Sequence, residues 1–246
     1  MLPSAIHTGI QGRFVSHATF VVDRAAQIKL NILKSYEWQG IGPDEDGPRA
    51  RAMIAKVRSP YEGLKAARPA CHRLLDHLLA STLGAEDHYW EVRHANSGAP
   101  RLLVNGKASD LSVSLSHSGQ WVAVSVARQL LVGLDIEDAE KRRNTSELAE
   151  FLGWRDGGSN PVDFYYRWTL WEACVKCVEG SVLMSQITGF NQLSKKTQPG
   201  QMVTAGSWSA LQDRASEVAF FSIVYQSPTG ASLQLQELEP SQLKGW

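Results

Sequence analysis

The chain has 246 residues, 43% of them hydrophobic, which is enough apolar material for one large packed domain or two of ordinary size. Its 25 basic and 25 acidic side chains cancel, so the charge balance gives no reason to expect nucleic acid or a membrane surface as a partner. Residues 1–15 lack a basic start followed by an apolar run, and no apolar run approaches the length of a membrane span, so neither a signal peptide nor a transmembrane helix is expected.

In chain order, His17–Val22 reads as a first strand and residues 40–47, rich in Gly, Pro and acids, as a loop. Ser59 and Pro60 offer a helix N-cap and N1, with Glu62 placed as in a capping box. Pro69 then divides the pattern. A turn or short helix ends near Arg68, and a fresh helix begins with Pro69 and runs towards Gly84. That helix carries Leu74, Leu75, Leu78 and Leu79 on one face. Trp90–His94 reads as a strand, followed by a turn at residues 97–100. Leu111–Ser116 alternates apolar and polar, which argues a half-buried strand broken at Ser116-His117-Ser118-Gly119. Trp121–Ala127 and Val132–Ile136 read as two more strands.

Asn144 or Thr145 caps a helix through Leu152, and residues 156–161 form a Gly-rich loop. A further helix carries Phe164, Trp168, Trp171 and Val175 at three- and four-residue spacing. Cys174 and Cys177 lie inside it, with no second Cys or His pair to complete a zinc site. With Cys71 they are read as core thiols in a reducing, cytoplasmic compartment. The tail supplies strands over residues 202–208, 218–225 and 232–238. Strands in short groups, with helices not strictly alternating, argue an α+β fold.

Two stretches carry chemistry. In Leu131-Val132-Gly133-Leu134-Asp135-Ile136-Glu137 the two acids are i and i+2 on a strand end, so they face the same way. In Trp168-Thr169-Leu170-Trp171-Glu172-Ala173-Cys174-Val175-Lys176, Glu172 and Lys176 are one helical turn apart. Asp135, Glu137 and Glu172 are a plausible oxygen cage for Mg²⁺, which takes few protein ligands and fills the rest with water and substrate phosphate. Lys176 would hold a phosphate oxygen as a point charge. The bland alternative is a solvated turn and a surface ion pair.

V-G-L-D-I-E followed by W-T-L-W-E-A-C-V-K is similar to the paired signature of the 4′-phosphopantetheinyl transferases, and Ser116-His117-Ser118-Gly119-Gln120-Trp121 resembles the S-H-S-x-x-W segment of their longer, monomeric branch. The match runs from about Ser112 to Gly180, is looser from Ser59 to Pro100, and is absent in the first fifty residues. The resemblance implies two similar α+β halves related by a pseudo-twofold axis, each a small antiparallel sheet packed with helices, with coenzyme A between them. The joint falls near residue 130. Residues 1–130 would contact the nucleotide, and 131–246 would carry the acids and the catalytic helix. Charge divides across that joint, with 15 basic and 11 acidic residues before it and 10 and 14 after it.

The implied activity is transfer of 4′-phosphopantetheine from coenzyme A to a serine of an apo acyl or peptidyl carrier protein, releasing adenosine 3′,5′-bisphosphate. Mg²⁺ would sit on Asp135, Glu137 and Glu172. Lys176 would bind phosphate. Glu172, or a metal-bound water, would take the serine proton. His117 and Ser116 match the family's phosphate contact, and Arg68 matches an arginine that reaches the nucleotide.

Two departures stand out. The family usually has Lys where this chain has Trp171, and many relatives have Gly-Lys-Pro where this chain has Gly98-Ala99-Pro100-Arg101. They motivate an alternative, a catalytically weak module that grips coenzyme A or a carrier protein. A different Mg²⁺-dependent phosphotransferase using the same acids is a further one.

Overall fold

A computed structural model describes residues 10–13, 29–40, 49–58, 64–83, 89–93, 100–141, 143–154, 160–178, 188–227 and 233–237. The strands are β1 (Ile10–Arg13), β2 (Lys29–Gly40), β3 (Arg49–Arg58), β4 (Tyr89–Arg93), β5 (Arg101–Val104), β6 (Lys107–Ser118), β7 (Trp121–Arg128), β8 (Leu131–Asp138), β9 (Met202–Ala205), β10 (Trp208–Ser216), β11 (Ala219–Gln226) and β12 (Leu233–Glu237). The helices are α1 (Leu64–Leu83), α2 (Thr145–Phe151), α3 (Pro161–Cys177) and α4 (Thr188–Leu193). The fold is α+β with two antiparallel sheets. One has the order β1-β4-β5-β6-β7-β3-β2-β12, the other β8-β11-β10-β9. The second sheet opens at Leu131, and β12 returns to pair with β2 in the first.

Strand alternation builds three apolar layers. On β3 and β7, Met53, Ala55, Val57, Val122, Val124 and Val126 face α1 and bury Leu74, Leu75, Leu78 and Leu79. The opposite face presents Ala50, Ala52, Ile54 and Ala123 to Val132, Leu134, Ile136, Phe221 and Ile223 of the second sheet. The outer face of that sheet buries Phe164, Leu170, Ala173 and Cys174 of α3. The order is therefore helix, sheet, sheet, helix. No helix among the described residues is long and apolar enough to cross a membrane.

Several expectations need correction. Residues 64–83 form one helix with Pro69 inside it, not a helix restarting at Pro69. Pro69 removes one backbone donor near the helix start, at a cost of about 3 kcal/mol. Ala67, Ala70, Cys71 and four leucines on the same face are buried, and full burial of each leucine contributes roughly 1.5–3 kcal/mol. The core overrides the proline. β6 does not break at Ser116 but runs to Ser118, and its turn is made by Gly119, at φ 59°, and Gln120. The tail strand expected over residues 202–208 is two strands, β9 and β10, joined at Gly206 with φ 64°. Strands β1, β2, β3 and β5 and helix α4 were not legible. β3 opens Arg-Ala-Arg-Ala, without the β-branched and aromatic residues that favour strands. The expected strand at His17–Val22, the Ser59-Pro60 cap and the Gly-rich stretch at 156–159 lie outside the described residues, as do Ala99 and most of the expected loop at 40–47.

One buried acid gives a test of the α1 packing. Asp76 accepts from Trp90 Nε1 at 2.8 Å. Burial pushes its carboxyl up to about 6, against pulls from the indole hydrogen bond and Arg73. A folded-state pKa above the unfolded one means that the native state binds more protons between about pH 4 and 6. Stability from this group is present at low pH and is lost as pH rises through 6. Asp76→Asn keeps the acceptor without the charge. It is expected to stabilise the fold by about 1–3 kcal/mol at pH 7.5, and the gain should shrink towards pH 4. Urea midpoints at the two pH values check this.

Candidate functional site

The site is assembled by a close contact between β8 and α3. Val132, Leu134 and Ile136 point into the layer between the sheets, so Gly133, Asp135 and Glu137 point towards α3. A Cβ on Gly133 would fall on the Ala173 carbonyl oxygen and within 2.6 Å of Cys177 N. The glycine lets the helix backbone lie directly on the strand. Lys176, one residue before Cys177, then reaches Asp135 Oδ1 at 2.6 Å and the Leu134 carbonyl at 3.2 Å. Further along, Trp168 Nε1 donates to Glu137 Oε1 at 3.3 Å.

A ladder of serines on β6 holds the other edge of β8. Their hydroxyls accept from alternate β8 amides. Leu134 N donates to Ser114 Oγ at 2.9 Å, Ile136 N to Ser116 Oγ at 3.3 Å and Asp138 N to Ser118 Oγ at 3.1 Å. β8 is an edge strand of its sheet, and these serines satisfy the amides that β11 leaves unpaired. Two of the same hydroxyls donate onward to the acids. Ser116 Oγ donates to Asp135 Oδ1 at 2.8 Å, and Ser118 Oγ to Glu137 Oε2 at 2.7 Å.

The acids differ in their surroundings. Asp135 and Glu137 are buried, at 4% and 7% exposure. Asp135 Oδ2 is buried without a hydrogen-bond partner. Arg143 Nη2 contacts both oxygens of Glu137 at 2.7 Å. Burial and the Asp135 carboxylate push Glu137 upward, against Ser118 and Arg143. Glu172 is half-buried, with no hydrogen bond or ion pair among the described residues. Burial first, then Asp135 and Glu137, raise it above the usual carboxylate range, while Lys176 and Arg143 oppose. Among the described residues no group of three or more His, Cys, Asp or Glu stands so that it could hold a metal ion as a set. Asp135 raises both Glu137 and Glu172, so the three acids lie near enough to be coupled electrostatically.

A basic cluster adjoins them. His117 sits half-buried on the α1 face of β6. Burial lowers its pKa, and the positive charges of Lys141, Lys176 and Arg68 lower it further. Arg68 is exposed near the start of α1. The fold thus brings Ser116, His117, Asp135, Glu137, Lys176 and Glu172 to one region, with Arg68 at its margin. Trp171 lies apart from the acids' contacts. It packs against the third core layer, 5.3 Å from the Trp168 ring, with its buried Nε1 unpartnered.

Sequence reasoning missed Lys141, Arg143, Ser114 and Ser118. The run Glu140-Lys141-Arg142-Arg143, directly after the two acids, was the available signal for the first two. No family model and no curated protein matches the chain.

Proposed function

We propose that this chain transfers 4′-phosphopantetheine from coenzyme A to a serine hydroxyl of an apo acyl or peptidyl carrier protein, releasing adenosine 3′,5′-bisphosphate. The observation that carries it is the junction at Gly133. There Asp135, with its orphaned buried oxygen, meets the Lys176 ammonium from a separate motif, and the uncommitted Glu172 carboxylate feels both charges. A buried carboxylate oxygen with no partner is costly unless something fills it, and hard oxygen donors suit Mg²⁺. Asp135, Glu137 and Glu172 are the acids from which its ligands would be drawn. A magnesium ion bound there would neutralise charge on the pyrophosphate and steady the leaving phosphate.

The chain's own residues do the rest. Lys176, whose three donors are held by Asp135, Leu134 O and Ser116 Oγ, would exchange one of the two longer contacts for a phosphate oxygen where charge builds up on leaving. Glu172, or a water held on the magnesium ion, would take the serine proton. His117, Arg68 and Lys141 hold nucleotide phosphates, and an arriving anion would draw a proton onto His117; the Ser116 hydroxyl, filled by Asp135, Ile136 N and Lys176, orients the acid and the lysine instead. Coenzyme A lies between two halves, 1–130 and 131–246, related by a pseudo-twofold axis. The presence of one long helix on the outer face of each sheet supports this. The protein acts as a cytoplasmic monomer.

The indole of Trp171, standing where the family has a lysine, favours a second reading as a coenzyme A or carrier-binding module without turnover. Release of adenosine 3′,5′-bisphosphate only when coenzyme A, Mg²⁺ and an apo carrier are all present would support the transferase. Binding without release would support the module.

The donor contacts give a further expected result. His117→Ala and Arg68→Ala should each weaken coenzyme A binding by about 1–3 kcal/mol, the scale of a charge-assisted hydrogen bond. The loss should shrink with dephospho-coenzyme A if these residues meet the 3′-phosphate. Calorimetry with both ligands decides it, and equal losses would remove the assignment.

A further inference from the structure

The three acids are unequal in what they have left to give. A carboxylate offers about four lone-pair sites. Glu137 fills them. Oε1 accepts from Arg143 Nη2 at 2.7 Å and Trp168 Nε1 at 3.3 Å, and Oε2 accepts from Ser118 Oγ at 2.7 Å and Arg143 Nη2 at 2.7 Å. The Arg143 guanidinium also lies over the Trp168 ring, 5.9 Å from its centroid, so the clamp is held from two sides. Asp135 commits only Oδ1, to Ser116 Oγ and Lys176 Nζ, and leaves Oδ2 buried and unpartnered. Glu172 commits neither oxygen among the described residues.

We infer that the cation is held by Asp135 Oδ2 and Glu172 alone, while Glu137 is withheld from it by Arg143, Ser118 and Trp168 as a positioning residue. This rests on the metal-dependent transfer proposed above and divides the labour among its acids. Two carboxylates are a sufficient protein share for Mg²⁺ when substrate phosphates complete the shell. Glu137 instead ties β8 to β6 through Ser118 and to the segment before α2 through Arg143. It thereby fixes the direction in which Asp135 presents its free oxygen.

Mn²⁺ is the probe, followed by electron paramagnetic resonance with the full chain and coenzyme A. Asp135→Asn and Glu172→Gln should each weaken Mn²⁺ binding about tenfold or more, because each removes a charged ligand. Glu137→Gln should stay within about threefold of the wild type, since it removes no ligand. Arg143→Gln leaves all three acids in place and releases Glu137, so Mn²⁺ should bind several-fold tighter. This variant keeps the test decisive if Glu137→Gln fails to fold. The inference is overturned if Glu137→Gln weakens Mn²⁺ as much as Glu172→Gln does, or if Arg143→Gln leaves the affinity unchanged. If the wild type takes up no Mn²⁺ with coenzyme A, the metal-dependent reading itself falls.

Discussion

Gly133→Val is expected to destabilise the protein by about 3 kcal/mol or more and to abolish transfer even where the chain still folds. Overpacking a well-filled site usually costs about 1–3 kcal/mol, because side chains can shift. Here the obstruction is backbone, the Ala173 carbonyl and the Cys177 amide, and helix backbone does not rotate out of the way. The helix must lift from the strand. Lifting it breaks the 2.6 Å contact from Lys176 to Asp135 and moves Glu172 with it. Stability and function are lost through the same displacement. Urea unfolding together with transfer measured at low temperature checks both parts. A variant of wild-type stability would show that the close approach is not what holds α3.

Glu172→Gln should do the opposite to stability and comparable damage to rate. Turnover is expected to fall about 10²-fold or more, the scale for loss of a preorganised charge at a reacting centre. Affinity for coenzyme A should change far less, because the loss is felt mainly in the transition state. The fold should be unharmed or strengthened. Burial and the two neighbouring acids raise Glu172, so its ionised form is disfavoured in the native protein. For an acid raised on folding, stability is lost as pH climbs through the folded pKa, and a neutral amide avoids that loss. The thermal midpoint of the variant at pH 8 should therefore equal or exceed that of the wild type. Single-turnover rates beside calorimetric Kd values decide the catalytic part. Equal losses in rate and binding would make Glu172 an anchor only and move the proton acceptor to water.

The parts of the fold legible in the sequence were those whose periodicity met a single, simple environment. β7, β8, α2 and α3 follow that rule, and Asn144 caps α2 as its side chain suggests. β6 shows where the rule ends. The pattern Leu-Ser-Val-Ser-Leu-Ser reads as a strand with one wet face, yet Ser114, Ser116 and Ser118 are buried. Their partners are amides of β8, twenty residues away in the chain. Period two distinguishes the faces of a strand but not whether the polar face meets water or the edge of another sheet. Pro69 misled for the converse reason, since the local cost is real and the leucine face outweighs it. At the site, the two acids on β8 and the Glu172–Lys176 pair were visible because side-chain spacing within one element is a local property. Arg143 and Ser118 were not, because their role comes from which elements meet Glu137. Trp171 was visible as a departure, and its indole packs against the third core layer beside Trp168.

Transfer of a phosphopantetheinyl group is read from the intact mass of the acceptor. An apo carrier protein incubated with this chain, coenzyme A and Mg²⁺ should gain the mass of one phosphopantetheinyl group. The gain should vanish when the carrier serine is changed to Ala, when Mg²⁺ is chelated, or when the chain carries Glu172→Gln. A panel of fatty-acid, polyketide and peptide carriers left at their apo masses, under conditions where the chain binds coenzyme A, would show that it is not a phosphopantetheinyl transferase.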